Sequence, residues 1–370
     1  MNKFSYKNIL MYSSHQWCGN VEEYFSKNSE KVAVFLMMQR IKNKDNLLRI
    51  YEKGKLVKEE NIVLSENIFL YYLFYYLQYI RALVKYFSRN DEVIVIAFHP
   101  YPLFFMTIQK ILFNVRFVFW VGDYFPPINT ALILFERLKK FYHDGISYTC
   151  YLGDGVNKVM NGKVLVTENR KTIMWGVKSK NITRNLSKIK YTLLYVGVVR
   201  NSVGLDIAYD FLRTHKKYKL KVIGICDATL YKKQKEMIKN YNIEEQVYFP
   251  NRFFFDDELN KLSKVCLAGL ALYTTDNTNA IYYSDPGKVK AYQEMGLPVI
   301  MSKTSSIVGF IKKFKAGEVI DRDATSLERA VKNIQENYAL YTDGVAKFNR
   351  YFYFEDYYRK GFKFLENISN

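Results

Sequence analysis

The chain has 370 residues, 49% of them hydrophobic, with 55 Lys and Arg against 36 Asp and Glu for a net charge of +19. Apolar content this high excludes a mainly disordered chain, because disorder needs low hydrophobicity to accompany net charge. The length suggests two domains, each with a full core.

Short apolar runs alternate with helix-length segments. In the first half, strands are expected at 8–13, 32–37, 93–98, 117–121 and 147–151, with helices near 20–28, 67–88, 101–113 and 129–142. Between them, Glu52-Lys53-Gly54-Lys55 separates two alternating runs and reads as a hairpin turn. The polar stretch from Lys178 to Lys188 lacks apolar periodicity and reads as a linker. The pattern then restarts, with strands at 192–196, 220–224, 246–249, 266–272, 298–301 and 318–320. Helices follow near 204–214, 229–240, 256–264, 286–295, 305–313 and 325–338. The last segment, 348–368, reads as an aromatic-rich helix weakened at Gly361, with more aromatic surface than one face needs.

Strands alternating with helices mean parallel sheets with right-handed crossovers. The expected fold is therefore α/β, with two Rossmann-like doubly wound domains facing a cleft. The boundaries are 1–180 for the first domain, 181–347 for the second and 348–370 for a closing helix.

The charge excess is spread, with 26 basic and 15 acidic residues in 1–185 and 29 and 21 in the remainder. Nucleic acid, an anionic membrane surface and a diphosphate-bearing ligand are its natural partners. Compositional drift in a Lys-rich chain explains it equally well. Nucleic acid is set aside because no Arg-rich helix or aromatic-interleaved sheet motif appears. Cys18, Cys150, Cys226 and Cys266 lie 132, 76 and 40 residues apart. That spacing fits neither a zinc site nor a redox dithiol, and points to a reduced, cytoplasmic protein. The first apolar stretch, Ile9 to Tyr12, is too short for a signal-peptide core. The longest apolar run, Ile68 to Leu77, falls short of the roughly 20 residues of a membrane span.

In open parallel sheets, ligands bind beyond the carboxyl ends of the strands. The first strand runs into Ser14-His15-Gln16-Trp17-Cys18-Gly19-Asn20, where Gly19 and a helix N-terminus offer backbone N–H groups to an anion. His15, Gly19 and Asn20 are the candidates there; Asn20 with Glu23 also reads as a capping box. His99 follows the 93–98 strand and Asp123 follows the 117–121 strand, which makes each a candidate to orient a sugar hydroxyl or serve as a general base. Capping and backbone contacts are the competing roles.

In the second half, Gly197-Val198-Val199-Arg200-Asn201 lies between a strand and a helix. It lacks the dinucleotide G-x-G-x-x-G spacing but suits a diphosphate, with Arg200 and Asn201 as donors. Arg252 and Phe253 follow another strand and offer a planar cation and a ring to a base. Ser284-Asp285-Pro286-Gly287-Lys288 opens a helix that stops at Gly296 before a strand. Ser284 or Asp285 reads as its cap and Lys288 as an anion contact.

At these residues the chain resembles the GT-B glycosyltransferases, most of all the family 4 type that build bacterial surface polysaccharides. The Pro286-Gly287-Lys288 helix and Gly296-Leu297-Pro298-Val299-Ile300 resemble that family's donor-site helix and following strand. Gly197 to Asp206 resembles the first loop of its carboxyl-terminal domain, and Cys18-Gly19-Asn20 its amino-terminal glycine loop. The departures are Val198 and Val203 where the family has Arg and Lys, and Tyr283 and Ala291 where it has two glutamates. Asp285 is the remaining candidate for a donor hydroxyl.

The resemblance implies a metal-independent transferase without a cofactor, moving a sugar from a nucleotide diphosphate-sugar held by the 181–347 domain to a glycan or lipid-linked acceptor held by the 1–180 domain, with 348–370 as a helix crossing back. It would be cytoplasmic, with a peripheral position at the inner membrane face as a further expectation. A same-fold epimerase or hydrolase and a non-catalytic glycan-binding protein are the alternatives. Asp321-Arg322-Asp323 has the form of a metal-binding Asp-x-Asp, but its place before a helix reads as capping.

Overall fold

A computed structural model of the chain describes residues 4–13, 20–36, 46–62, 68–180, 182, 184, 189–252, 254 and 256–366. It divides into two compact units, Met1–Gly176 with Phe354–Asn370, and Val177–Tyr353.

The first unit is built on strands β1 (Tyr6–Ser13), β2 (Ser29–Leu36), β3 (Asn46–Glu52), β4 (Lys55–Ile62), β5 (Val93–Ala97), β6 (Val115–Val121), β7 (Tyr148–Tyr151) and β8 (Arg170–Thr172). Their order is β4-β3-β2-β1-β5-β6-β7-β8. The pairs β2/β3 and β3/β4 are antiparallel and the other neighbours parallel. Strand β1 lies inside, with Ile9 opposite Val32 on one side and Ile94 on the other. Because helices cover both faces, β1, β5 and β6 are almost wholly buried and read as continuous apolar runs. The β3–β4 hairpin turns at Lys53 and Gly54, with φ of 49° and 83°. Two left-handed residues are what a tight hairpin turn needs to match strand twist.

Helix Val21–Asn28 covers one face together with Phe354–Gly361, through Tyr24 against Tyr358 and Phe362. Helices Ile68–Tyr86, Met106–Leu112 and Thr130–Gly145 adjoin one another on the other face. The Tyr76 hydroxyl donates to the Phe104 carbonyl at 3.1 Å, and the Phe104 ring meets Tyr142. Right-handed crossovers that run in the same direction along the sheet put their helices on one side.

The second unit holds β9 (Thr192–Val196), β10 (Lys219–Ile223), β11 (Val247–Tyr248), β12 (Ala268–Ala271), β13 (Val299–Ser302) and β14 (Gly317–Ile320). All are parallel, in the order β11-β10-β9-β12-β13-β14. The order reverses between β9 and β12, which makes their carboxyl ends the switch point of a doubly wound sheet. Its core packs Leu193, Leu220, Val222, Leu270 and Ile300 against Ala208, Leu212, Leu327 and Val331.

Three local expectations are corrected. The aromatic 348–368 segment is not one helix. Tyr338–Phe352 ends at Tyr353, which bridges to Val177, and Phe354–Gly361 and Lys363–Glu366 follow. The helix stops because the Phe352 carbonyl accepts the Val177 N–H at 2.9 Å. Asn20 stands at the helix start but in the left-handed region (φ 63°), and its side chain makes no capping bond; Glu23 pairs with Lys27 at 2.8 Å. Pro286 occupies the N-cap of Gly287–Glu294, while the Ser284 hydroxyl donates to the Ala280 carbonyl. A helix over Asp154–Asn161 and the short β8 fall in a stretch without a sequence assignment.

Candidate functional site

The second unit concentrates the candidate residues at its switch point. Gly197 follows β9 at φ 117°, a conformation that favours glycine. Its N–H donates to Ile223, and Val199 N–H donates to Ile225. A Cβ at Gly224 would lie 1.9 Å from the Gly197 carbonyl oxygen, so only glycine permits this approach of the β9 and β10 loops. Arg200 and Asn201 follow on the exposed rim of the loop, which the bond from Thr274 N–H to the Ser202 carbonyl ties to the chain beyond β12.

Helix Gly287–Glu294 is fixed over the same point by Tyr292. Its hydroxyl accepts from Val196 N–H and donates to the Leu270 carbonyl, both at 2.9 Å, so it bridges β9 and β12. A Cβ on Gly269 would come within 2.4 Å of the Tyr292 ring, so that glycine makes room for it. This places Lys288 beside the loop, its Nζ 3.7 Å from where a Cβ on Gly197 would stand. The ammonium lies 4.0 Å from the Tyr195 ring centre and 4.8 Å from that of Tyr273. Burial, with the nearby positive charge of Arg200 behind it, pulls its pKa from 10.5 down to about 7. Gly197, Arg200 and Lys288 thus converge on one place.

Other candidates are engaged elsewhere. Asp285 is buried, and its carboxylate lies 3.6 Å from the buried Lys290 ammonium, which sits 3.5 Å from the Phe352 ring centre. Burial lowers Lys290 to about 8, with Asp285 opposing the shift. A carboxylate with no exposed side-chain surface is part of the helix's support, not an open contact for a sugar. Arg252 forms an ion pair with Glu258 at 3.0 Å and stacks on Phe254. Asn251, at φ 51°, accepts from Cys226 N–H and so joins the β10 and β11 loops. Phe253, Gly19 and His15 lie outside the described residues.

In the first unit, His99 is partly buried just past β5. Phe98 N–H donates to Tyr12 of β1, so His99 stands at that sheet's own switch point. Asp123 is exposed past the neighbouring β6. The Asp123 carbonyl accepts from the Lys139 ammonium at 2.6 Å, and Lys139 pairs with Glu136, which in turn accepts from Phe125 N–H. Burial lowers the Lys139 pKa against the pull of Glu136. This buried pair shapes the loop that carries Asp123. Sequence reading missed it, as it missed Tyr195 and Tyr273, because an aromatic in a strand looks like any core residue.

Among the described residues, no group of three or more His, Cys, Asp or Glu converges as a metal site. Asp323 accepts from Ser326 N–H at 2.7 Å as a helix cap, and Asp321 pairs with Lys303, so the Asp-x-Asp resemblance resolves into capping.

Two doubly wound units with switch-point loops of this kind define the GT-B fold. No protein-family model matches the chain, and no curated protein matches it in sequence. Among solved structures, it is similar to the sucrose-phosphate synthase of Thermosynechococcus elongatus, with a TM-score of 0.70, 12% identity, and 98% of this chain and 99% of that one covered. It is also similar to HepE of Anabaena in complex with UDP-glucose, with a TM-score of 0.68, 13% identity, and 98% and 99% covered. A third is trehalose-6-phosphate synthase OtsA, with a TM-score of 0.64, 13% identity, and 97% and 99% covered. At such identities the likeness fixes the fold.

Proposed function

We propose that the chain is a glycosyltransferase that moves a sugar from a nucleotide diphosphate-sugar to a hydroxyl of a glycan or lipid-linked acceptor in cell-surface glycan synthesis. The observation that carries this reading is the convergence of Lys288, Arg200 and the Gly197 backbone at the switch point of the second unit. Similar structures in this fold hold UDP and UDP-glucose.

In this reading, the bond between the sugar's anomeric carbon and the diphosphate breaks with its electron pair on the diphosphate oxygen. Lys288, Arg200 and the start of helix Gly287–Glu294 neutralise the developing charge in a partly desolvated place, where such stabilisation is strongest. The acceptor hydroxyl forms the new bond and gives its proton to a base, a role we assign to His99 or Asp123 in the first unit. Asp285 and Arg252 are assigned to supporting the helix and loop. The acceptor is met at the inner membrane face.

A thermal-shift panel of UDP, GDP, ADP and CDP with their sugar conjugates tests the donor site. One base family should stabilise the protein, and Lys288→Ala should weaken that ligand by about 10–100-fold, the usual loss for one charge-assisted contact. No response to any nucleotide would overturn the reading. Turnover of donor without acceptor would assign the site to hydrolysis or epimerisation instead.

A further inference from the structure

The helices on the outer face of the first unit present apolar side chains to solvent in register. On Ile68–Tyr86, Leu70, Leu73, Phe74 and Leu77 are exposed at spacings of three and four, forming one stripe of the helix. That stripe continues through Arg81 and Val84. On Met106–Leu112, Ile108 and Ile111 are exposed, Ile111 to 78%. Phe105, at the N-cap of that helix, is held at φ 55°, an uncommon conformation for a bulky residue, and is 65% exposed. On Thr130–Gly145, Leu134 and Phe141 stand two turns apart on one stripe, with Arg137 between them.

Single exposed apolar residues need no explanation, but aligned stripes on three adjoining helices do. The charges on this face are predominantly basic. Arg81, Lys85, Lys110, Arg137 and Lys140 are exposed against Asp144, which Lys140 pairs at 2.9 Å, and the half-buried Glu60 of β4, which lies near Arg81 and Lys85 and pairs with Lys58 at 2.6 Å. The other acid of these helices, Glu136, is turned inward to the buried Lys139.

We propose that this face docks on an anionic bilayer surface. The apolar side chains enter the boundary between headgroups and acyl chains, and the lysines and arginines meet lipid phosphates. A protein partner would call for hydrogen-bonding groups or a balance of both charges among the apolar ones, whereas an apolar surface with five exposed lysines and arginines and few acids matches an anionic lipid interface. No helix among the described residues is long and apolar enough to cross a membrane. Contact is therefore by lying on the surface, through helices seated on the sheet beneath. The proposal rests on the transferase reading for its purpose, since it brings the first unit to where a lipid-linked acceptor is held.

Vesicle flotation of the full chain tests it, with phosphatidylcholine alone and phosphatidylcholine mixed with phosphatidylglycerol. The protein should float with the anionic vesicles and much less with the neutral ones. Ile111→Ser with Phe141→Ser should lower partition about tenfold or more, as expected when two large side chains no longer leave water. Lys110→Glu with Arg137→Glu should abolish the preference for anionic lipid, each lost positive charge counting for about fivefold. All four side chains are exposed, and an unchanged nucleotide-induced thermal shift verifies the fold of each variant.

Equal partition of the parent and the serine variant would overturn the proposal. So would a concentration-dependent dimer in sedimentation velocity that the serine variant loses while vesicles are ignored, which would give the face to a second copy. Nucleotide response without vesicle binding removes the docking face alone. Vesicle binding without any nucleotide response removes the transferase reading and leaves the face standing.

Discussion

At the scale of single residues, Lys288 links stability to the proposed ligand binding. Its pKa is depressed to about 7 from an ordinary 10.5, so the folded state binds fewer protons than the unfolded chain between those values. Stability therefore rises with pH from about 7 to 10.5, and the full penalty is present below 7. Lys288→Met should raise the melting temperature of the ligand-free protein at pH 6, by an amount equivalent to about 2 kcal/mol once solvent screening at a partly buried site is allowed for. The same variant should lose donor binding, a trade of stability against function. In the proposed donor site a diphosphate restores the proton to Lys288, so the affinity for the nucleotide-sugar the panel identifies, whose phosphates do not titrate in this range, should fall by up to about tenfold per pH unit above 7. Calorimetry in buffers of different ionisation enthalpy checks this by detecting proton uptake on binding. A flat affinity between pH 6 and 9 would place the diphosphate away from Lys288.

At the scale of elements, helix Gly287–Glu294 is held from below by a buried ion pair. Asp285→Ala should destabilise the second unit by about 3 kcal/mol or more, because it leaves the Lys290 amine buried without its counter-ion. Asp285→Leu with Lys290→Met should lie within about 1 kcal/mol of the parent, since replacing both members of a buried pair by apolar groups is often neutral. Urea unfolding of the two variants and the parent measures the difference. Elements of this kind were unevenly legible in the sequence. Central strands such as β5 and β9 announce themselves as apolar runs because both faces are covered, and the Lys53-Gly54 turn follows from its residue types. Strand β8 is three half-buried residues, Arg170, Lys171 and Thr172, at a sheet edge, where no apolar pattern is required. The break at Tyr353 was illegible because its cause, a bond from Val177 to the Phe352 carbonyl, joins residues distant in sequence. Lys288 was legible by residue type and position after Pro286-Gly287. The burial of Asp285 was not, since a carboxylate before a helix looks like an exposed cap until Lys290 and Phe352 are seen around it.

At the scale of the molecule, the first unit is completed by the far end of the chain. The Tyr358 hydroxyl accepts from Gly176 N–H at 2.6 Å, and Phe362 packs on Trp120, Tyr24 and Phe25. Truncation after Tyr353 should expose this core and cost several kcal/mol, at about 1.5–3 kcal/mol for each large apolar side chain that loses its cover. Hydrogen exchange should then show lost protection in β1 and Val21–Asn28, with the second unit's strands unchanged; loss in both units together would refute their independence. The second unit, by contrast, is one uninterrupted segment, and its two ends are hydrogen-bonded to each other through Val177 and Phe352. During synthesis, this gives the halves a fixed order of maturation. The second unit has every residue it needs once position 353 leaves the ribosome, while the first must wait, its aromatic core open, until Phe354–Gly361 and Phe362 arrive. Chaperone demand should therefore fall on the first unit, and the segment after Tyr353 should limit its yield.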